Sequence, residues 1–192
     1  MLLQNIKVGF ALTGSFCTLD SVLVEMENMI LEGAEVYPIV SNTVKSTDTR
    51  FGLSGELLNR ITKITGKKVM DSIVDVEPLG PKGIIDIMLV APCTGNTLSK
   101  IANAITDTPV VMATKAHLRN HKPVVISLSS NDALGANAKN LGILLNAKNL
   151  YFVPFYQDSP NNKPNSLISD TRQIIPTLLD ALKGQQTQPY IG

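Results

Sequence analysis

The residues best suited to bind a ligand follow an apolar run near the middle of the chain. Residues 84–90 are apolar except for Asp86. After them comes a stretch of small, hydroxylated and amide side chains: Pro92, Cys93, Thr94, Gly95, Asn96 and Thr97. Such residues let a backbone approach a ligand closely and offer it N–H, hydroxyl and amide groups. The stretch predicts a loop that binds an anionic or polar ligand, and an ordinary capped turn is the alternative.

Polar turns follow three other apolar runs in the same way. They are Thr13-Gly14-Ser15-Phe16 after residues 6–12, Ser41-Asn42-Thr43 after residues 36–40, and Ser129-Ser130-Asn131-Asp132 after residues 123–128. If these runs are parallel strands, their carboxyl ends meet at one edge of the sheet, so we expect the four turns to converge. No turn contains a complete G-x-G-x-x-G or G-x-x-x-x-G-K-[ST] motif. Together they indicate a nucleotide-like ligand held by hydroxyls, amides and backbone N–H groups.

The strands that carry these turns are indicated by short apolar runs. Residues 84–90 lack the alternation of a half-exposed strand, so they predict a strand buried on both faces, which Pro92 is expected to end. Pro38 predicts an edge position for its strand. Further strands are predicted at residues 6–12, 36–40, 123–128 and 151–155.

Helices are predicted between the strands from apolar residues at helical spacing. They cover residues 19–30, 57–64, 98–105, 109–119, 133–146 and 166–182. Thr108 and Pro109 are typical of a helix start, which favours a helix there despite the Val110-Val111 pair. Pro176 is expected to bend or restart the last helix. Residues 66–83 show no clear period and are expected to be an irregular connection.

This order of elements predicts an α/β fold, a single Rossmann-like, doubly wound open parallel sheet with helices on both faces. We expect residues 1–184 to form this domain and residues 185–192 to form a C-terminal tail that is frayed or binds a partner. The chain has 192 residues, of which 44% are hydrophobic and 17% are charged. It is therefore long and apolar enough for a substantial core.

Composition excludes several function classes. A net charge of +1 without a dense basic run gives no footprint for nucleic acid or an anionic membrane. Two cysteines make no disulfide framework and two histidines give no zinc-type spacing, so no metal site is predicted. The opening residues lack the basic region of a secretory signal, and the expected location is a reducing cytoplasm. Cys17 is assigned to the core, and Cys93 is either a reactive thiol or a small buried hydrophobe.

The polar stretch after the central strand resembles the signature of the FMN-binding flavoproteins, a family that includes the cysteine-type decarboxylases. Their motif is Pro-Ala-Ser-Ala-Asn-Thr; Pro92, Asn96 and Thr97 match it directly, and Thr94 keeps the hydroxyl of its serine. The likeness covers about residues 5–156. It implies FMN as the cofactor and the following binding residues: Gly14, Ser15, Phe16, Ser41, Pro92, Thr94, Asn96, Thr97 and Ser129.

Two features of the decarboxylases are missing from this chain. They carry a Pro-x-Met-Asn segment after the later strand, where this chain has Ser129-Ser130-Asn131-Asp132. They also use a histidine near the first helix, and residues 13–33 contain none. Decarboxylation is therefore not the expected activity. The alternative is an FMN-dependent decarboxylase whose acid–base group lies elsewhere in the chain.

Within this family, the whole chain resembles the B component of a two-component synthase of spore-forming bacteria. The segments that carry the likeness are residues 113–120, 130–132, 151–158 and 163–166. The resemblance implies oxidation of dihydrodipicolinate to dipicolinate together with the A subunit of that synthase, in the cytoplasm of the mother cell during sporulation. It also implies a homo-oligomer, and an electron acceptor that is either FMN on this chain or NADP on the A subunit. The alternative is a non-catalytic scaffold protein with a vestigial flavin pocket.

A substrate with two carboxylates requires cationic partners. If this chain holds such a substrate, the nearest cluster is Lys115, His117 and Arg119, with His121 beside it. Ordinary surface charges near a helix C-terminus are the alternative. The aromatic residues of 151–156 are either a contact between protomers or core.

Overall fold

Seven strands form one mixed sheet, and eight α-helices lie around it. A computed structural model describes residues 1–192. The strands are β1 (Lys7–Leu12), β2 (Glu35–Val40), β3 (Ile87–Cys93), β4 (Val124–Ser130), β5 (Leu150–Phe152), β6 (Phe155–Tyr156) and β7 (Leu167–Ser169). The helices are α1 (Leu19–Leu31), α2 (Asn42–Ser46), α3 (Ser54–Thr65), α4 (Ile73–Val76), α5 (Gly95–Ala102), α6 (Pro109–Leu118), α7 (Ala138–Leu145) and α8 (Ile174–Leu182). None of them combines the length and the apolar character that crossing a membrane requires.

The sheet is parallel at its centre and antiparallel at one end. Its order is β2-β1-β3-β4-β7-β6, and β5 pairs with β4 beside this path. β1 pairs in parallel with β2 and β3, and β3 pairs in parallel with β4. β7 pairs antiparallel with both β4 and β6. The predicted α/β fold is confirmed, but the sheet is mixed rather than purely parallel.

β3 connects the two halves of the hydrophobic core. Every residue of this strand is buried. Because successive side chains of a strand point to opposite faces, Ile87 and Leu89 pack into one hydrophobic cluster while Met88 and Val90 pack into the other. The run is continuously apolar because both faces of the strand are covered.

The prediction that Pro92 ends the central strand is wrong. β3 continues through Pro92 to Cys93, which pairs with Leu128, and the register with β4 shifts between Val90 and Cys93. A proline fits at such an irregularity because its missing N–H is not needed for the ladder. The strand also begins at Ile87, later than predicted.

Two other prolines mark the elements that the sequence predicted. Pro38 lies in β2, which is an edge strand of the sheet. Pro109 is the first residue of α6, and the side chain of Thr108 caps this helix by accepting a hydrogen bond from the backbone N–H of Val111. Both predictions are confirmed.

The C-terminal part of the fold differs most from its prediction. The predicted fifth strand is divided into β5 and β6, and the residues expected to begin the last helix form β7. α8 begins only at Ile174, so Pro176 lies in its first turn, where the missing N–H removes no helical hydrogen bond. α7 begins at Ala138 rather than at residue 133, and residues 66–83 contain α4.

Ser169 shows why this segment pairs with the sheet. Its Oγ accepts a hydrogen bond of 2.7 Å from the backbone N–H of Leu128 and donates one of 3.2 Å to the carbonyl of Val153. Ser169 is 3% exposed. The hydroxyl therefore joins β7 to β4 and to the residue that follows β5.

The residues after α8 lie against the sheet. The backbone N–H of Phe155 donates to the carbonyl of Tyr190 at 3.0 Å. The side-chain amide of Gln186 bonds both backbone groups of Phe152. The tail is therefore paired rather than frayed. Phe152 and Phe155 are buried core residues, and Tyr156 is the exposed member of the aromatic run.

Candidate functional site

The ends of β1, β3 and β4 open into one cleft of about 660 Å³. We call it the wide lobe. Its lining includes six of the residues predicted from sequence: Gly14, Ser15, Phe16, Thr94, Asn96 and Ser129. The Oγ atoms of Ser15 and Ser129 share a hydrogen bond of 2.7 Å, although 114 positions separate them in the chain. The predicted convergence of the turns is thus confirmed, while their binding role stays a prediction.

A second cavity, of about 450 Å³, opens beside the wide lobe. We call it the hydroxyl lobe, because no hydrophobic residue lines it. Its lining consists of Thr13, Gly14, Ser41, Asn42, Thr43, Thr94, Asn96, Thr97, Lys100, Asp107 and Thr108. Gly14, Thr94 and Asn96 belong to both lobes. These three residues therefore form the boundary across which one ligand can extend.

Helix N-termini surround the hydroxyl lobe. Thr94 caps α5 by accepting from the backbone N–H of Thr97, and Thr108 caps α6 in the same way. Ser41 caps the short α2. The first N–H groups of a helix and the positive end of its dipole favour an anion. Lys100 and Asp107 form an ion pair of 2.8 Å, so the charged lining is balanced.

Thr13 fixes the position of the loop between β3 and α5. Its Oγ1 donates a hydrogen bond of 2.6 Å to the carbonyl of Pro92 and accepts one of 3.0 Å from the backbone N–H of Thr94. Thr13 is 1% exposed. Pro92 is itself buried in β3 and lines neither lobe, so its carbonyl contact with Thr13 is the role that the structure gives it, and its part in cofactor binding stays a prediction.

Gly95 lies in close contact with the turn after β4. A Cβ atom at this position would lie 2.5 Å from Ser130 Oγ, 2.6 Å from Asp132 Oδ1 and 2.7 Å from Asn137 Nδ2. The Asp132 carboxylate accepts hydrogen bonds from Ser130 at 2.6 Å and from Asn137 at 2.8 Å. Only glycine allows the start of α5 to approach this network so closely.

Asn96 projects its amide where both lobes meet. Its side chain is exposed and forms no hydrogen bond with another part of the chain. An amide can both donate and accept, so Asn96 can bind a phosphate or a polar ring edge.

Several residues of the wide lobe were not found from the sequence. They are Arg50, Phe51, Asn137, Asp158, Lys163 and Ser166. All lie in connections between elements or directly before a helix. No periodicity or motif marks such positions, because the folding of distant segments brings them to the cleft. For Arg50, Asp158 and Lys163 the charge was the only signal from the residue itself.

The predicted substrate residues Lys115, His117 and Arg119 do not reach the cleft. They lie at the C-terminal end of α6, whereas Thr108 at its N-terminal end borders the hydroxyl lobe. A helix of 10 residues separates its ends by about 15 Å. These side chains therefore line neither lobe, and their role in binding a substrate stays a prediction.

Of the predictions for the two cysteines, the one for Cys17 is wrong. Cys17 is exposed at the wide lobe rather than part of the core. Cys93 is buried, and burial raises the pKa of its thiol far above the usual range. Cys93 is therefore a neutral core residue, and the reactive-thiol alternative is excluded.

Comparison with known proteins identifies the family of this chain. The sequence pattern of the family described as Flavoprotein matches residues 2–174. The B subunit of dipicolinate synthase from Bacillus subtilis (strain 168) is 50% identical over 189 residues, which cover 98% of this chain and 94% of the relative.

Two solved structures are similar in fold. The crystal structure of the dipicolinate synthase B subunit from Bacillus halodurans has a TM-score of 0.92 at 50% identity, covering 100% of this chain and 98% of its own. The FMN-dependent cysteine decarboxylase SpaF has a TM-score of 0.68 at 18% identity, covering 95% and 99%. At that identity the second likeness shows the fold alone.

We expect Thr13→Val to destabilise the protein by about 1–3 kcal/mol, because the variant leaves the N–H of Thr94 and the carbonyl of Pro92 without a partner. Urea unfolding followed by circular dichroism measures this free energy. Thr13→Ser is the matched control, because it keeps the hydroxyl and should retain most of the stability. Equal stability of the valine variant and the wild type would contradict the assignment.

We expect His117 to make the protein less stable in acid. Burial, and secondarily the charge of Lys122, lower the pKa of His117 to about 4, below the value of about 6.5 in an unfolded chain. Between these two values the unfolded state binds the extra proton, so the unfolding free energy falls as pH falls from 6.5 to 4.

The variant His117→Leu removes this titration. It should reduce the acid-dependent loss of unfolding free energy by roughly 2–3 kcal/mol relative to the wild type. Urea unfolding at a series of pH values between 7.5 and 4 measures the loss for each protein. The prediction is wrong if both proteins lose the same free energy over that range.

Proposed function

This chain belongs to the Flavoprotein family, and we propose that it binds FMN and works with a partner, the A subunit of dipicolinate synthase, to oxidise dihydrodipicolinate to dipicolinate. The observation that carries the proposal is the pair of connected lobes, one lined by hydroxyls and helix N-termini and one wider and mixed. The 50% identity to a dipicolinate synthase component over nearly the whole chain supports dihydrodipicolinate as the proposed substrate.

The donors of the two lobes fit FMN. In this proposal the hydroxyl lobe holds the phosphate through Ser41, Thr97 and the backbone beside Gly14, because hydroxyls and helix N-termini are suited to an anion. The wide lobe holds the flavin ring through Ser15, Phe16, Ser129 and the groups shared by both lobes. When bound, FMN supplies an acceptor for a hydride.

The chemistry of the reaction makes modest demands on the protein. Dihydrodipicolinate becomes aromatic when it loses a hydride equivalent and a proton, and aromatisation supplies the driving force. The chain must therefore bind two carboxylates and orient the ring, and it does not need a strong base. NADP on the A subunit is the other acceptor compatible with this reaction.

Decarboxylation is the less favoured activity. The chain contains two histidines. His117 is buried at the far end of α6, and His121 follows it, so neither lines the wide lobe. An acid–base histidine of the kind used by the decarboxylases is thus not available in the cleft.

A homo-oligomer and a place in the mother-cell cytoplasm complete the proposal. In a scaffold role, by contrast, the chain would stabilise the A subunit without holding a flavin.

Dihydrodipicolinate oxidation measured with this chain, with the A subunit, and with the two combined tests the proposal. Each mixture is assayed with and without FMN and NADP, and the purified chain is examined for flavin absorption. We expect the purified chain to take up flavin. Full oxidation activity should require both proteins. A colourless chain that takes up no FMN yet raises the activity of the A subunit would establish the scaffold role instead.

We expect Asn96→Asp to weaken FMN binding by about 10- to 100-fold, because it places a negative charge at the boundary of the two lobes, where the anionic cofactor must pass. Fluorescence titration of FMN measures the affinity. Asn146→Asp adds the same charge at the exposed end of α7 and serves as control. Unchanged affinity in a folded Asn96→Asp variant would contradict the site.

A further inference from the structure

Two cationic side chains line the wide lobe, and they come from opposite ends of the sheet. Arg50 lies in the connection between α2 and α3, which follows the edge strand β2. Lys163 lies in the connection between β6 and β7. In the sheet order, β2 stands at one end and the β7-β6 pair at the other, with β1, β3 and β4 between them. The cleft above these central strands thus receives one cation from each side.

Arg50 is oriented by an aromatic ring and not by a carboxylate. Its guanidinium carbon lies 4.9 Å from the centre of the Phe51 ring, within the range of a cation–π contact. Arg60 and Arg172, by contrast, pair with aspartates at 2.7 and 2.8 Å. Arg50 has no such ion pair, so its donors are free to bind a ligand.

Lys163 is held by an ion pair that leaves it able to bind more. Its Nζ lies 3.2 Å from Oδ2 of Asp158. Burial alone would raise the pKa of Asp158, but hydrogen bonds from Ser166 and Lys163 keep that pKa below its usual value. The ammonium has three donors, so it can bind a second carboxylate while Asp158 keeps it in place.

The acidic groups of the lobe already have donors. Asp132 accepts hydrogen bonds from Ser130 and Asn137, and Asp158 accepts from Lys163. An anion that enters therefore meets free donors on both sides rather than free carboxylates.

We propose that Arg50 and Lys163 each bind one carboxylate of a planar dicarboxylate and so select dianions over monocarboxylates in the wide lobe. The identity of the dianion rests on the proposed function. Arg50 is suited to bidentate contact with a carboxylate and Lys163 to a single charge contact. They take the role that sequence reasoning gave to Lys115 and Arg119.

The physical basis of selection is the number of charged hydrogen bonds that the ligand makes. A monocarboxylate of the same ring contacts one of the two cations and makes no charged hydrogen bond with the other. A hydrogen bond to a charged group contributes enough to change affinity by about 10- to 100-fold. The lobe should therefore discriminate between the two ligands by that factor.

Calorimetric titration with dipicolinate and with picolinate, which lacks one carboxylate, tests this inference without any turnover. We expect the wild type to bind dipicolinate about 10- to 100-fold more tightly than picolinate, both with and without FMN. Arg50→Gln and Lys163→Met should each weaken dipicolinate binding by a similar factor and abolish the preference. Arg50→Lys should restore part of it, because it keeps the charge without the bidentate geometry.

Arg60→Gln is the matched control, because it removes a guanidinium that pairs with Asp20 and does not line the wide lobe. It should leave both affinities unchanged. Circular dichroism confirms that each variant is folded. Wild-type dipicolinate affinity in folded Arg50→Gln, or loss of FMN binding without loss of dipicolinate binding, would overturn the inference.

The titration also separates this inference from the proposed function. A chain that binds dipicolinate through these cations but takes up no FMN and supports no oxidation would refute the proposed function alone. A chain that takes up FMN and is active with the A subunit, yet shows no preference for dipicolinate over picolinate, would refute the selection alone.

Discussion

The site depends on one buried hydroxyl. Thr13 follows β1, and its Oγ1 bonds both the carbonyl of Pro92 in the neighbouring strand β3 and the N–H of Thr94 just after that strand. The parallel pairing of β1 and β3 brings the two strand ends side by side, and this hydroxyl then fixes the loop between β3 and α5 relative to the first loop. Thr94 is the cap of α5 and a member of both lobes, so the positions of the helix and of the cavity boundary follow from the same contact.

Sequence reasoning predicts those parts of the fold that rest on local signals. The apolar run of β3, the cap and proline of α6, and the polar turns that meet at Ser15 and Ser129 are all of this kind. The β6–β7 hairpin could not be predicted, because strands of two and three residues show no periodicity and Ser169 pairs with residues far away in the chain.

The charged residues of the cleft show the same limit. Arg50 and Lys163 lie in connections, where only the folded sheet determines which segments face each other. Lys115 and Arg119 looked suitable because they cluster in sequence, yet they lie toward the C-terminal end of α6 and line neither lobe. Sequence spacing predicts which face of a helix or strand a residue lies on. The topology of the fold determines which end of the sheet the last turn of that element reaches. The division into a hydroxyl lobe and a charged wide lobe also became visible only in three dimensions.

The contact at Gly95 has a mechanical consequence. The first turn of α5 and the Ser130–Asp132 turn touch so closely that no methyl group fits between them. The hydrogen bonds of Asp132 then tie this turn to Asn137, and those of Asn137 and Asn140 tie it to α7. Tightly packed groups of this kind move together, because separating them would open a void or break the bonds. The start of α5, the Ser130–Asp132 turn and the start of α7 therefore move as one rigid unit. Any adjustment to a ligand takes place in the connections that carry Arg50 and Lys163.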